Sequence, residues 1–445
     1  MDEAAPGAAL ARIPRPLERL KLKIDSLDAE GRGVARNEEG KVVFVEGALP
    51  GEVVDADIRQ QRSAFDIARM AALIEPSSGR RVPRCPYFGT CGGCATQHAD
   101  ARTQVAAKQR WLEDCLARIG KVKPEAMLPP ILGQEWHYRH RARPSVRYVE
   151  NRGGALVCFR ERRSTYVAEM RSCEVLPERI SRLIPEMRAL VNGLSIRRRL
   201  PQIELAAGDE AEVLVFRHLD PLTDEDEAKL RAFAEDQGVW VWLQPRGPDS
   251  AHPFYPVNGR QLFYALPEFG VRIVFHPTDF TQVNHAVNRL LVSRAVRLLD
   301  PQPGERTADV FSGLGNFTLP IATRGAQVLG LEGSEPLVAR ARENAAANGL
   351  SAEFRVANLF EPGFEALGPF DKLLLDPPRE GAVAVVKSLP EAWPRRIVYV
   401  SCDPATLARD AAVLVHTKGF ALRAAGVVNM FPHTAHVESI ALFER

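Results

Sequence analysis

The chain has 445 residues, of which 45% are hydrophobic, 26% charged and 7% aromatic, with a formal net charge of +2 at pH 7. A mean hydropathy of −0.17, and no apolar run near the roughly 20 residues of a membrane helix, argue against membrane-spanning and largely disordered classes. At about 100–200 residues per domain the length calls for two to four domains. The opening residues MDEAAPGAALARIPRP are acidic where a secretory leader is basic, so the expected location is cytoplasmic.

The small net charge hides an asymmetry. Residues 1–84 carry 14 basic and 14 acidic side chains, whereas residues 101–200 carry 21 Lys and Arg against 10 Asp and Glu. A positive block of that kind suits a phosphate-bearing partner; a solvated basic face is the plainer alternative.

In chain order, residues 1–15 are rich in Ala and Pro and are expected to form a disordered tail. Across 16–75, the runs LKLKIDSL, KVVFVEGAL, EVVDADIRQ and FDIARMAALIE alternate apolar and polar residues. Turn chemistry such as Glu30-Gly31-Arg32-Gly33 and Leu49-Pro50-Gly51 divides them, which predicts a small OB-like β-barrel, a fold used to hold single-stranded nucleic acid. Residues 76–278 read as an α+β central domain. It opens with the linker PSSGRRVPRCP and a helix over 101–120, where Val105, Trp111, Leu112, Cys115 and Leu116 share a face.

Seven cysteines stand at 85, 91, 94, 115, 158, 173 and 402. Three fall within ten residues of one another, which in a chain without a secretory leader favours metal or cluster ligation over disulfides. Only Cys91 and Cys94 have the pair spacing usual for zinc, so a single zinc site must recruit further ligands, and zinc and an iron–sulfur cluster both stay open. The segment WHYRHRARPSVRY, 136–148, carries Arg139, Arg141, Arg143 and Arg147 with Tyr138 and Tyr148 and no acid. As one strand it would line its arginines along a single face, suited to phosphate contacts and base stacking, or simply form a solvated edge. Arg197–Arg199 form a second basic knot.

From about residue 279 strands and helices alternate, as in a doubly wound, mainly parallel sheet of the Rossmann-like α/β class. In DVFSGLGNF a strand runs into a glycine turn, with Thr318 where a dinucleotide fingerprint needs its third glycine. S-adenosylmethionine (SAM) fits better. Glu332 ends the second strand, where an acid holds ribose hydroxyls, and Asn358 ends the third, where a polar group meets adenine. The DPPR turn at 376–379 is a stiff wall for a flat base, and Arg379 stands where amine methyltransferases carry an aromatic. The C-x3-C-x2-C spacing of radical SAM enzymes is absent.

Cys402 ends the fifth strand just before a helix, whose N-terminus is expected to lower the thiol pKa. A nucleophilic cysteine is what methylation at C5 of uracil requires. Thiolate addition to C6 pushes electron density onto C5, and a base must later remove the C5 proton. Glu438 lies between apolar strand residues, where burial would raise its pKa toward a useful value; His433 and His436 are rivals.

Taken together, DFTQVN (279–284), DVFSGLGNFTLP (309–320), LEGSEPLV (331–338), LLLDPPREG (373–381), YVSCDPATLARD (399–410) and FPHTAHVESI (431–440) resemble the uracil-C5 RNA methyltransferase family. The resemblance implies a SAM-dependent enzyme with Cys402 as nucleophile and Glu438 as base. It makes Gln282, Phe311, Asn316, Glu332, Asn358 and Asp376 the SAM-pocket residues, Asp376 also reaching the uracil edge. It further implies that 16–75 is a TRAM domain, that Cys85, Cys91, Cys94 and Cys173 hold a 4Fe-4S cluster, and that 279–445 is the methyltransferase domain. Members acting on transfer RNA are expected to lack TRAM domain and cluster, so the implied substrate is 23S ribosomal RNA. The target base would flip out of its stack, with Phe280 a stacking or core residue, and the enzyme would act as a cytoplasmic monomer. A non-catalytic RNA-binding or ribosome-assembly module, and a methyltransferase acting on transfer RNA or on another base, are the alternatives.

Overall fold

The computed structural model describes residues 18–258 and 261–445, and the tail anticipated at 1–15 lies outside them. The chain divides into two compact units, one running to Val82 and including His98–Asp100, the other comprising Pro83–Gln97 and Ala101–Arg445.

The first unit is a six-stranded sheet of β1 (Arg19–Lys23), β2 (Ser26–Leu27), β3 (Gly33–Arg36), β4 (Val42–Glu46), β5 (Val53–Gln61) and β6 (Phe65–Glu75). Its hydrogen-bonded order is β1-β5-β6-β4-β3-β2. The alternation seen in sequence buries Leu22, Val43, Val45, Val54, Ala56 and Ala68 on one side. Strand β3 was not among the four anticipated runs, because four residues beginning with glycine carry too little alternation. Gly33 is required there: a Cβ would stand 2.9 Å from Ile24 Cγ2. The Leu49-Pro50-Gly51 turn is held by the buried Glu52, which accepts from Leu49 N–H at 2.8 Å and pairs with Arg80 at 2.5 Å.

The second unit contains two larger sheets. The central one comprises β8 (Arg141–Ala142), β9 (Ser145–Val149), β10 (Gly154–Cys158), β11 (Gln202–Ala207), β12 (Glu212–Arg217), β13 (Trp240–Gln244) and β14 (His252–Tyr255). A hairpin, β15 (Leu262–Leu266) and β16 (Val271–Phe275), follows. The C-terminal sheet has the order β19-β18-β17-β20-β21-β23-β22-β7. Its strands are β17 (Arg306–Val310), β18 (Gln327–Glu332), β19 (Glu353–Val356), β20 (Lys372–Leu375), β21 (Arg396–Ser401), β22 (Ala421–Val428), β23 (Glu438–Glu444) and the early β7 (Ala126–Met127). Strands β17–β21 run parallel, while β23 is antiparallel to both β21 and β22.

Two features differ from the expectations. The helix over 101–120 is α-helical only through Ala101–Cys115 and finishes as a π-helical turn at Leu116–Gly120. Its apolar face packs into the C-terminal core, and a Cβ on Gly120 would lie 2.6 Å from Ala408 O. This helix and β7 therefore belong to the C-terminal sheet although they precede the central one, and residues 278 and 279 fall in one unit. The basic segment 136–148 is likewise not one strand. Pro144 offers no N–H to a ladder, and pairing breaks between β8 and β9. Arg141 and Arg143 both turn to the buried Glu204, at 2.9 and 3.0 Å, so the continuous row of arginines is replaced by a pinned pair plus exposed Arg147. Among the described residues no helix is long and apolar enough to cross a membrane.

Candidate active site and thiol pocket

All five parallel strands of the C-terminal sheet end at one edge, and the strand order reverses at β17, between β18 and β20. A crevice opens at such a reversal, beyond the carboxyl ends of the strands. Because β23 is antiparallel, it starts where the others finish. Ser401 pairs with Ser439 and Val428 with Glu438, which brings Cys402, one residue past β21, beside Glu438.

The crevice floor is the turn after β17. Phe311 has φ +69°, unusual for a side chain of that bulk, and its N–H and that of Ser312 both donate to Leu331 O, at 2.8 and 2.9 Å. Gly315 has φ +91°, and a Cβ there would press on Leu319 Cγ at 3.1 Å. Glu332, at the end of β18, accepts from Gly313 N–H at 3.1 Å and from Ser334 N–H at 3.0 Å. Asp309 is fully buried, accepts the Thr318 hydroxyl at 2.5 Å, and is pushed up to about 7 by burial. Its Oδ1 and the Ser312 hydroxyl are buried without a partner among the described residues. A glycine turn with an acid at the next strand end and orphaned polar atoms beneath fits a polar ligand of the SAM kind.

The remaining anticipated pocket residues are spread unevenly. Asn316 spends its amide on Asn288 (2.9 and 3.0 Å) and the Tyr264 hydroxyl (2.9 Å), so its visible work is holding the turn. Asn358 is exposed and caps its own turn through Phe360 N–H at 3.1 Å. Gln282 is buried in the loop after β16, whereas Phe280 beside it is 69% exposed and so is no core residue. Phe360 went unrecognised in the sequence. It is 55% exposed, with its ring 5.8 Å from that of Phe311, and its position two residues past Asn358 was the available signal.

Around Cys402 the titratable groups are crowded. The half-buried thiol is pushed up to about 12, first by burial and then by the charges of Glu438 and Asp376, with Arg379 pulling the other way. This corrects the expectation of a helix-lowered thiol. The helix Pro404–His416 is capped by Asp403, whose carboxylate accepts from Ala405 and Thr406 N–H at 2.8 and 3.1 Å, so its first amides are already satisfied. The thiol therefore stays protonated near neutral pH in the absence of a substrate. Glu438 is buried and its carboxyl is raised well above the usual range, by burial first and then by Asp376. Asp376 itself is pushed up to about 7 by burial and by Asp309. Of the rival histidines, His433 is turned away into a stack on Trp136 (3.8 Å between centroids), and His436 Nδ1 lies 3.3 Å from Arg379.

In the same unit Cys85, Cys91, Cys94 and Cys173 line one cavity with Tyr87, Phe88, Phe159 and Met170, while Cys158 lines a neighbouring one. All are free cysteines. Burial drives each of the four thiols up, Cys94 to about 12 and Cys173 to about 11, and Gly93 N–H donates to Cys91 Sγ at 3.4 Å. The four thiols thus share the lining of one largely apolar cavity, which Gln97 and Glu174 also border. Among the described residues no three His, Cys, Asp or Glu side chains are gathered as ligands of a single ion. On the basic face, Arg197 and Arg198 lie 5.5 and 4.8 Å from the Tyr148 ring centroid, and Arg199 pairs with Asp220 at 3.3 Å.

Comparison with known proteins supplies the context for this geometry. The family model described as tRNA (Uracil-5-)-methyltransferase matches residues 100–359 and 367–445, and the TRAM domain model matches 17–70. A protein of Thiobacillus denitrificans, named 23S rRNA (uracil(1939)-C(5))-methyltransferase RlmD, is 62% identical over 94% of this chain and 98% of its own. One of the same name from Nitrosospira multiformis is 60% identical over 95% and 98%. Among solved structures, the Pyrococcus abyssi tRNA (uracil-54, C5)-methyltransferase superposes with a TM-score of 0.72 at 24% identity, covering 95% of this chain and 99% of that one. That coverage takes in the N-terminal fold, so the fold alone does not separate transfer-RNA from ribosomal-RNA enzymes.

Proposed function

The chain belongs to the tRNA (uracil-5-)-methyltransferase family, and on that footing we propose that it methylates C5 of a uridine in 23S ribosomal RNA through a covalent adduct on Cys402. The observation that carries this reading is the meeting of Cys402, Glu438, Asp376 and Arg379 at the crevice beyond β20 and β21. The ribosomal substrate is supported by the relatives near 60% identity.

SAM would be held by the Phe311–Gly315 turn, with Glu332 on the ribose, Asn358 and Phe360 near the base, and Gln282, Asn316 and Asp376 bordering the methionine end. Bound there, it supplies an electrophilic methyl group. The chain's own residues do the rest. Arg379 favours the Cys402 thiolate against the two carboxyls that oppose it. The sulfur adds to uracil C6, the C5=C6 double bond opens, and C5 becomes nucleophilic. Asp376, titrating near neutrality, can present a proton to a uracil carbonyl as negative charge builds there. After C5 is methylated, Glu438 takes the C5 proton, the double bond re-forms, and the bond from Cys402 to C6 breaks. The target base must leave its stack to reach the thiol, with the exposed ring of Phe280 a platform at the entrance.

We assign the cysteine cavity to a 4Fe-4S cluster on Cys85, Cys91, Cys94 and Cys173, a reading supported by the four thiols lining one cavity. The experiment is transfer of labelled methyl from SAM to 23S and transfer RNA, followed by nucleoside digestion. The expected result is label in 5-methyluridine of 23S RNA. Label confined to transfer RNA, or to another base, would overturn the assignment.

A further inference from the structure

The loop joining β22 to the base-bearing β23 is gripped by the part of the molecule that carries the cysteines. Three successive carbonyls each accept from a different element. Phe431 O accepts from Lys108 Nζ at 2.8 Å, Pro432 O from the Tyr138 hydroxyl at 2.9 Å, and His433 O from the N–H groups of Ala95 and Thr96 at 2.8 and 3.0 Å. The last two donors directly follow Cys94. Residue 433 is held a second way by Gln104, whose Oε1 accepts its N–H at 2.7 Å and whose Nε2 lies 3.1 Å from His433 Nδ1. A third hold is the stack on Trp136, itself covered by the Arg84 guanidinium at 5.3 Å, one residue before Cys85. At the loop's start, Lys108 Nζ donates to Asn429 Oδ1 at 2.8 Å.

All of these groups are elsewhere costly. Lys108, Gln104, Tyr138 and His433 are buried, and His433 adopts φ +64°, a left-handed conformation that a non-glycine residue holds only when its surroundings enforce it. A polar network of this kind has little slack, since each member removed leaves a buried partner unsatisfied. Five residues on stands Glu438, paired with Val428 at the loop's other end. Between them Phe431 and His436 pack 5.5 Å apart, and His436 adjoins Arg379 beside Cys402.

We propose that His433 is a positioning residue that ties the Cys94 segment to the base Glu438, so that order in the cysteine pocket sets the rate of proton removal from C5 rather than that of nucleophilic addition. The inference rests on the uracil-methylation reading. It makes the metal-bearing pocket a support for the release step, acting through Ala95, Thr96 and the 431–433 carbonyls.

The test uses the metal-loaded full chain and two variants. His433→Asn keeps a residue that tolerates the left-handed backbone, and Lys108→Met removes the anchor of Phe431 at similar volume. In single-turnover reactions with uridine RNA and SAM, two quantities are followed: methyl transferred, and methylated RNA still bonded to Cys402. Both variants should transfer within about threefold of the parent yet release about tenfold or more slowly, accumulating methylated adduct. Amide exchange at Ala95 and Thr96 should quicken about tenfold in His433→Asn. Release at the parent rate, or transfer and release falling by the same factor as general loosening would give, overturns the proposal. Should the parent form no adduct, uracil methylation is what has failed. Exchange at Ala95 and Thr96 then decides the link alone, and parent-like exchange in His433→Asn sinks it.

Discussion

Cys402 at the sheet edge and Cys94 in the cysteine pocket carry equally suppressed thiols, each pushed up to about 12 mainly by burial, but their neighbours differ in kind. Cys402 faces two carboxyls and an arginine, groups that exchange protons and shift charge as a substrate arrives. Cys94 shares its cavity with three more cysteines, Cys85, Cys91 and Cys173, in a largely apolar shell. Glu174 and Gln97 also border that cavity, but among its described lining residues there is no Lys or Arg, so a thiolate there lacks the cation that Arg379 provides at Cys402. Suppression alone therefore does not tell a nucleophile from a ligand. What tells them apart is the company each keeps, two carboxyls with an arginine at Cys402 and three further thiols at Cys94.

Substitutions that separate the two regions have graded effects. The largest is expected from Cys402→Ala, which should abolish adduct and lower methylation by more than about 10³-fold while leaving the metal content at the parent level. Loss of metal in that variant would mean that the regions are not distinct. Next, Glu438→Gln should slow release by about 10²–10⁴-fold with methyl transfer largely retained, so that methylated RNA stays on the protein in denaturing gels. Cys94→Ala should lose its metal and, with it, thermal stability, read by iron analysis and melting of the purified protein.

A pH profile sharpens the contrast further. A base with a raised pKa works only above that value, so activity should fall as pH drops through a range well above the usual carboxylate one. Asp376→Asn removes the charge that raises Glu438, so the acid limb should move to lower pH even though the rate falls. An unmoved limb would show that Asp376 does not face the base. The smallest effect is expected behind the DPPR wall, where the Tyr399 hydroxyl and Ala382 N–H both donate to buried Asp410 at 2.7 Å. Tyr399→Phe should cost about 1–3 kcal/mol in denaturant unfolding, with activity within a few-fold of the parent.

The sheet edge was legible in the sequence because its chemistry is local to strand ends. Glu332, Asp376 and Cys402 each close a short apolar run, and parallel pairing brings such ends to one edge. The anchoring of the 431–433 loop was not legible. Gln104 and His433 are 329 positions apart, and nothing in the pattern of the 101–120 helix marked Gln104 and Lys108 as its buried polar members. The arginines of 136–148 misled for a related reason. Their alternation was real, but Pro144 and the distant Glu204 decide where they point. The suppressed thiol of Cys402 was missed because its burial and the approach of Glu438 and Asp376, from other strands, are set by the fold rather than by the residues beside it.

The most direct measurement is the intact mass of the protein after incubation with SAM and RNA carrying 5-fluorouridine, whose fluorine blocks removal at C5. The account predicts a stable adduct of protein plus methylated RNA that maps to the peptide containing Cys402 and is absent from Cys402→Ala. Unmodified protein under conditions where ordinary uridine RNA is methylated, or an adduct on any other residue, would contradict it.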